Sequence, residues 1–152
     1  MRVSVIGGST VTDEQYQQAR EVGRRLGERG HDVVCGGLTG VMEAACRGAS
    51  EAGGHTVGIL PGERRAAAND YVQTAIATGL GNARNALVVM NGAAVIAVDG
   101  GTGTLSELGH ALDIDRPVAG LGTHRLDSPV GDAIEHVDTP AEAVAYVESA
   151  VQ

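Results

Sequence analysis

One unit of sequence grammar recurs along this chain and restricts its fold more than any other feature: a short apolar run, a glycine-rich turn, then apolar residues at helical spacing. The fullest copy is VIAVDGGTGTLSELGHAL, from Val95 to Leu112. Val95, Ile96, Ala97 and Val98 suit a buried strand, while Leu105, Leu108, Gly109 and Leu112 follow the i, i+3, i+4, i+7 spacing of an amphipathic helix. A second copy, VVCGGLTGVMEAA, runs from Val33 to Ala45, and VSVIGGS at Val3 to Ser9 is a strand entering a glycine turn. Strands alternating with helices predict an α/β chain: a single-domain, Rossmann-like, doubly wound and mainly parallel sheet with helices on both faces. In such a sheet ligands bind beyond the carboxyl ends of the strands, so the three turns are expected to wall one site.

Strands are expected at Val3 to Ile6, Asp32 to Cys35, Thr56 to Leu60, Val72 to Ala77, Ala94 to Val98, Pro117 to Leu121 and Glu135 to Val137. Helices are expected at about Asp13 to Arg29, Gly40 to Ala52, Asn82 to Met90, Thr104 to Ile114 and Pro140 to Val151. Thr12 and Gln15 are placed as a capping box with Gly30 as a stop, and Thr139, Pro140 and Glu142 mark the start of the last helix. Pro61 to Asp70 and Gly122 to Asp132 are expected as loops; the first, carrying Arg64 and Arg65, is a candidate to close over a ligand. The 152 residues suit one domain, without linker or repeat array.

Nineteen acidic residues against eleven arginines, with no lysine, give a formal charge of −8. That balance opposes nonspecific binding to nucleic acid or anionic membrane, so neither is expected as a partner. The missing lysine removes a Walker A lysine, a Schiff-base lysine and pyridoxal-phosphate attachment. Acidic excess without lysine, phenylalanine or tryptophan suggests a salt-adapted source. With no long apolar span and no charged-then-apolar leader, the chain is expected to be soluble and cytoplasmic. Cys35 and Cys46 fit neither CxxC nor a disulfide framework and are expected as buried free thiols. The five histidines are never paired at metal-ligand spacing, so no metal and no cofactor are expected.

GGTGT, at Gly100 to Thr104, has the composition of an anion cradle. Gly100, Gly101 and Gly103 allow positive φ and close approach of backbone N–H groups, and the helix that follows adds unpaired N–H groups and the positive end of its dipole. A phosphate is the natural guest. The dinucleotide fingerprint G-x-G-x-x-G fails, because Ser106 stands where the third glycine belongs and no acidic residue follows at the usual distance. A mononucleotide or sugar phosphate fits better than NAD.

GGLTGVMEAA at Gly36 to Ala45, ARN at Ala83 to Asn85 and GGTGTLSE at Gly100 to Glu107 together resemble the LOG-type ("lonely guy") Rossmann family, once labelled lysine decarboxylases, over about Ile6 to Leu121. The family's hallmarks are GGxxGLM, an Arg-Lys pair and PGGxGTxxE. The resemblance implies a nucleotide-binding protein. Characterised family members are phosphoribohydrolases that cleave the N-glycosidic bond of nucleoside 5′-monophosphates. The resemblance extends to molybdenum-cofactor carriers and, more distantly, to the DNA-processing protein DprA. It also implies a homodimer.

By that resemblance Arg84 and Glu107 are the catalytic candidates. Gly8, Ser9, Gly36, Gly37, Thr39, Gly40, Met42, Asp99, Gly100, Gly101, Thr102, Gly103 and Thr104 are the candidates for phosphate or nucleotide binding. A carboxylate beside the ribose can stabilise oxocarbenium charge or orient water, and an arginine can fix the substrate or the departing base. Each has a plainer alternative. Thr104 and Glu107 have capping-box spacing, which makes Glu107 a helix cap, and Arg84 is otherwise a surface arginine or the partner of Glu107 or Asp99. Three departures favour a noncatalytic nucleotide or phosphorylated-pterin carrier as the second reading. Asp99 replaces the proline, Asn85 the lysine, and Glu43 a common glycine. Without Phe or Trp, the chain lacks the aromatic grip for a prenylated base.

Overall fold

The alternation of elements is carried through the whole chain. The computed structural model describes residues Met1–Gln152, with strands β1 (Arg2–Gly7), β2 (Asp32–Cys35), β3 (Thr56–Leu60), β4 (Thr74–Ala77), β5 (Ala94–Val98), β6 (Val118–Leu121) and β7 (Ile134–Val137). Helices α1 (Asp13–Glu28), α2 (Val41–Glu51), α3 (Arg84–Met90), α4 (Thr102–Asp113) and α5 (Pro140–Ala150) lie between or after them. Every strand pairing is parallel, in the order β4-β3-β2-β1-β5-β6-β7. The chain therefore winds outward from β1 to β4, crosses back to lay β5 against the other side of β1, and winds outward again. The β1–β5 pair, with Val3 to Gly7 in register with Ala94 to Val98, is the topological switch point.

The two sheet faces bury different helices. Val3, Val5, Ile96 and Val98 point to one cluster with α1, α2 and α5, and Ile6, Val95 and Ala97 point to the other with α3 and α4. That is the alternation of a strand buried on both sides, which explains why β5 reads as an unbroken apolar run. With no phenylalanine or tryptophan to fill space, density comes from close backbones. A Cβ on Gly23 of α1 would lie 2.0 Å from Ala45 O, and one on Gly48 of α2 would lie 1.9 Å from Arg20 O. The two helices meet main chain to main chain.

Both expected capping boxes form: Gln15 N donates to Thr12 Oγ1 at 3.2 Å, and Glu142 N to Thr139 Oγ1 at 3.2 Å. Most boundaries lie within one residue of expectation, and three differ by two. β4 begins at Thr74 because Asn69 holds Tyr71 and Val72 in a turn, Tyr71 N donating to its Oδ1 and Val72 N to its carbonyl. The segment before α3 is a 3-10 turn, Gly81–Ala83. α4 begins at Thr102 with Gly101 as its N-cap. Cys35 and Cys46 are buried free thiols, their sulfurs 3.4 Å apart. No helix is long and apolar enough to cross a membrane.

Candidate functional site

The loops after β1, β2 and β5 meet at the carboxyl edge of the sheet, beside the switch point, and enclose a cleft of about 310 Å³. Their mutual position is fixed by main-chain ties. Val41 N donates to Gly8 O at 2.9 Å, and Thr39 Oγ1 to Ser9 O at 2.9 Å. Gly40 sits at this junction with φ 67, and a Cβ there would lie 2.2 Å from Gly8 O, so only glycine lets the two loops close. On the far side Thr123 Oγ1 donates to Asp99 O at 2.8 Å and His124 Nε2 to Gly101 O at 2.8 Å, anchoring the GGTGT turn to the loop after β6.

α4 points its N-terminus into the cleft. Gly101 caps it without a side-chain hydrogen bond, so the N–H groups of Thr102, Gly103 and Thr104 are left for a ligand. Leu105 N is the first to find an intrahelical acceptor, Gly101 O at 3.1 Å. The capping-box reading of Glu107 fails here, because the helix starts two residues before Thr104 and Glu107 lies beyond its first turn. The Glu107 side chain instead lines the cleft while only 7 % of the residue is exposed. Burial pushes its carboxyl up to about 7, against a smaller opposing pull from Arg84.

Arg84 is equally buried, at 7 % exposed. Its Nε donates to Ile59 O at 2.8 Å, one terminal nitrogen to Gly36 O at 3.3 Å and the other to Asn85 Oδ1. It is neither a surface arginine nor ion-paired to Asp99. Its guanidinium stitches the ends of β2 and β3 to α3 and presents one edge to the cleft. A Cβ on Gly36 would lie 2.6 Å from an Arg84 nitrogen, which accounts for that glycine. Burial lowers the guanidinium's pKa, and Glu107 opposes this.

Of the candidate residues, Gly8, Ser9, Met42, Arg84, Gly101, Thr102, Gly103, Thr104 and Glu107 line one cavity. Gly36, Gly37, Gly40 and Gly100 do not line it, and Thr39 lines the neighbouring cavity. Asp99, at φ 52, turns its carboxylate toward Gly8, where a Cβ would lie 3.3 Å from it, and stays out of the lining. Arg64 and Arg65 are exposed and do not line the cleft. The structure adds Gly7, Leu38, Asn82 and Asn85 to the lining; Asn85 Nδ2 donates to Ser106 Oγ at 3.1 Å, tying α3 to α4. Asn69 is a further support, its Nδ2 donating to Leu38 O at 2.8 Å. Neither role is signalled by spacing, since both depend on which loops adjoin across the sheet. No group of three or more His, Cys, Asp or Glu side chains is arranged to hold a metal ion.

Known proteins resemble this chain in sequence and in fold. An uncharacterized protein of Archaeoglobus fulgidus is 40% identical over 146 residues, 96% of this chain and 93% of that protein. A probable cytokinin riboside 5′-monophosphate phosphoribohydrolase of Oryza sativa is 37% identical over 112 residues, 70% of this chain but 46% of the rice protein. The molybdenum cofactor binding protein from Rippkaea orientalis superposes with a TM-score of 0.92 at 32% identity, covering 99% of this chain and 97% of its own. The SLOG cluster4 family model matches residues 1–151. With its three glycine turns gathered at one switch point, the chain belongs to the SLOG cluster4 family, within the LOG-type Rossmann group that its motifs resemble.

Proposed function

We propose that this protein holds a phosphorylated small molecule, a nucleotide or a phosphate-bearing pterin, in the switch-point cleft with the phosphate on the N-terminus of α4. The observation that carries this reading is the convergence, in one cavity, of the free N–H groups of Thr102 to Thr104, the Gly8–Ser9 turn and the buried Glu107. Helix N-terminal N–H groups and dipole favour an anion. Burial raises the Glu107 carboxyl to about 7, which reduces the charge it sets against that anion near neutral pH. Arg84 spends most of its donors on the protein's own carbonyls and on Asn85, which suits holding better than turnover. Likeness along the full chain to a molybdenum cofactor binding protein supports the same reading. A stabilising ligand raises the unfolding temperature in proportion to RT ln(1 + [L]/Kd). Thermal shifts with 5′-AMP are expected to exceed those with adenosine clearly, and equal shifts would remove the phosphate from the cleft.

A second reading, hydrolysis, is favoured by one feature: a buried carboxyl that titrates near neutrality in a cleft is the usual signature of a proton-handling group. Here water adds to C1′ of a nucleoside 5′-monophosphate as the C1′–N bond breaks, giving ribose 5-phosphate and free base, while Glu107 stabilises the charge developing on the ribose. Chromatography over a panel of monophosphates tests it. Base release that Glu107→Gln largely abolishes supports the enzyme; tight binding without base release leaves the carrier.

Self-association as a homodimer is part of the proposal. Between Tyr71 and Val98 the only charged side chain is the buried Arg84. The outer side of α3 and α4 and the neighbouring β4 edge instead expose Ile76, Leu80, Met90 and Leu105. A second copy presents the same mostly apolar face, with Arg116 at its Met90 edge, whereas most other pairings of a −8 chain oppose acidic surfaces.

A further inference from the structure

A second cavity, also about 310 Å³, adjoins the cleft and shares Leu38 with it. Its lining includes Thr39, Glu43, Asn69, Asp70 and Tyr71. The polar groups here are already sorted. Asn69 is used up by the protein, its amide nitrogen donating to Leu38 O and its oxygen accepting from Tyr71 N. Thr39 Oγ1 donates to Ser9 O. Glu43 is held by Tyr16, whose hydroxyl donates to Oε1 at 3.0 Å, and its Oε2 has no such tie. Arg47 lies over the Tyr71 ring at 5.6 Å and donates to Glu51. What remains for a guest is the Tyr71 ring and hydroxyl and the carboxylates of Glu43 and Asp70, with the Arg47 guanidinium over the ring engaged through Nε alone.

The two adjoining cavities thus differ in chemistry: the first offers main-chain N–H groups and suits an anion, and the second adds the carboxylates of Glu43 and Asp70, which suit N–H groups. Resting on the phosphate reading above, we propose that the second cavity takes the heterocycle of the same ligand. The cavity selects a 2-amino-4-oxo ring, the pattern shared by guanine and pterins, over adenine. Such a ring presents a ring N–H beside an exocyclic NH₂, two parallel donors that one carboxylate accepts together. Adenine offers a bare ring nitrogen at the equivalent place, which faces a carboxylate lone pair to lone pair. The discriminating residue is Glu43, with Asp70 beside it and Tyr71 as the stacking surface.

Isothermal titration of the full chain with GMP, 6-hydroxymethylpterin phosphate, AMP and ribose 5-phosphate tests this. GMP or the pterin phosphate is expected to bind at least roughly tenfold more tightly than AMP, as hydrogen bonds to a charged group imply, and the tighter of the two identifies the source of the ring. Glu43→Gln keeps an acceptor for Tyr16 but gives the cavity an amide, whose donor and acceptor match adenine. It is expected to erase or invert the preference, an effect that mere loosening of the fold does not produce. Asp70→Asn at an exposed position is expected to weaken it. Ribose 5-phosphate bound without any preference between GMP, pterin phosphate and AMP would overturn this assignment alone. No binding of ribose 5-phosphate or of any monophosphate would overturn the phosphate cradle and this assignment with it.

Discussion

Glu107 and Arg84 show how far a single side chain can be anticipated. Motif matching singles out both, but their depth comes from loops distant in sequence: Arg84 is buried because Ile59 and Gly36 carbonyls lie where its donors reach. The capping alternative for Glu107 is legible and incorrect, since a glycine N-cap three residues before Thr104 leaves no local sign. Burial has a measurable consequence. Glu107 is raised from 4.5 to about 7 in the folded protein, so the native state prefers it protonated. That contribution to stability is fully present below about pH 4.5 and is lost as pH rises through about 7. Glu107→Gln is expected to remove a pH-dependent loss on the order of 3 kcal/mol between about pH 4 and pH 9. Urea unfolding of both proteins across that range measures it, and parallel pH profiles would refute it.

Helices and strands were the most legible part of the chain. The capping boxes at Thr12 and Thr139 formed where their residues predicted, because a cap is local chemistry. Thr139→Ala is expected to cost about 1 kcal/mol by loss of the α5 cap, read as a lower urea midpoint with an unchanged slope. Which helix packs on which was not legible. The meeting of α1 and α2 depends on glycines that look like ordinary helix interruptions until the facing backbone is known. Gly48→Ala, a favourable change by helix propensity alone, is expected instead to destabilise by at least about 2 kcal/mol, since the added methyl meets the Arg20 carbonyl. A variant as stable as the parent would mean the helices can separate freely.

For the molecule as a whole, strand–turn–helix repetition gave a parallel doubly wound sheet, and the strand order came only with the structure. Nothing in the residues between β4 and β5 announces that the chain returns across β3 and β2 to reach β1, yet that return places the glycine turns together. The mostly apolar α3–α4 face is also a property of the assembled surface. Met90→Glu with Leu105→Glu is expected to convert a dimer to a monomer in light scattering, because each change puts a charge on both sides of a two-fold contact. A parent protein that is already monomeric at high concentration would refute the dimer.

The crossover has a mechanical meaning as well. It divides the molecule into a half that ends with β4 and a half that begins with β5, joined covalently only through the α3 segment and laterally along β1 and β5 and where α5 packs on α1, with Arg29 and His31 meeting Glu148. The cleft straddles that join, drawing Ser9 and Met42 from one half and Thr104 and Glu107 from the other. A molecule seated there acts as a rivet. Its arrival need not alter the shape of either half to be felt, since it raises the force needed to part them.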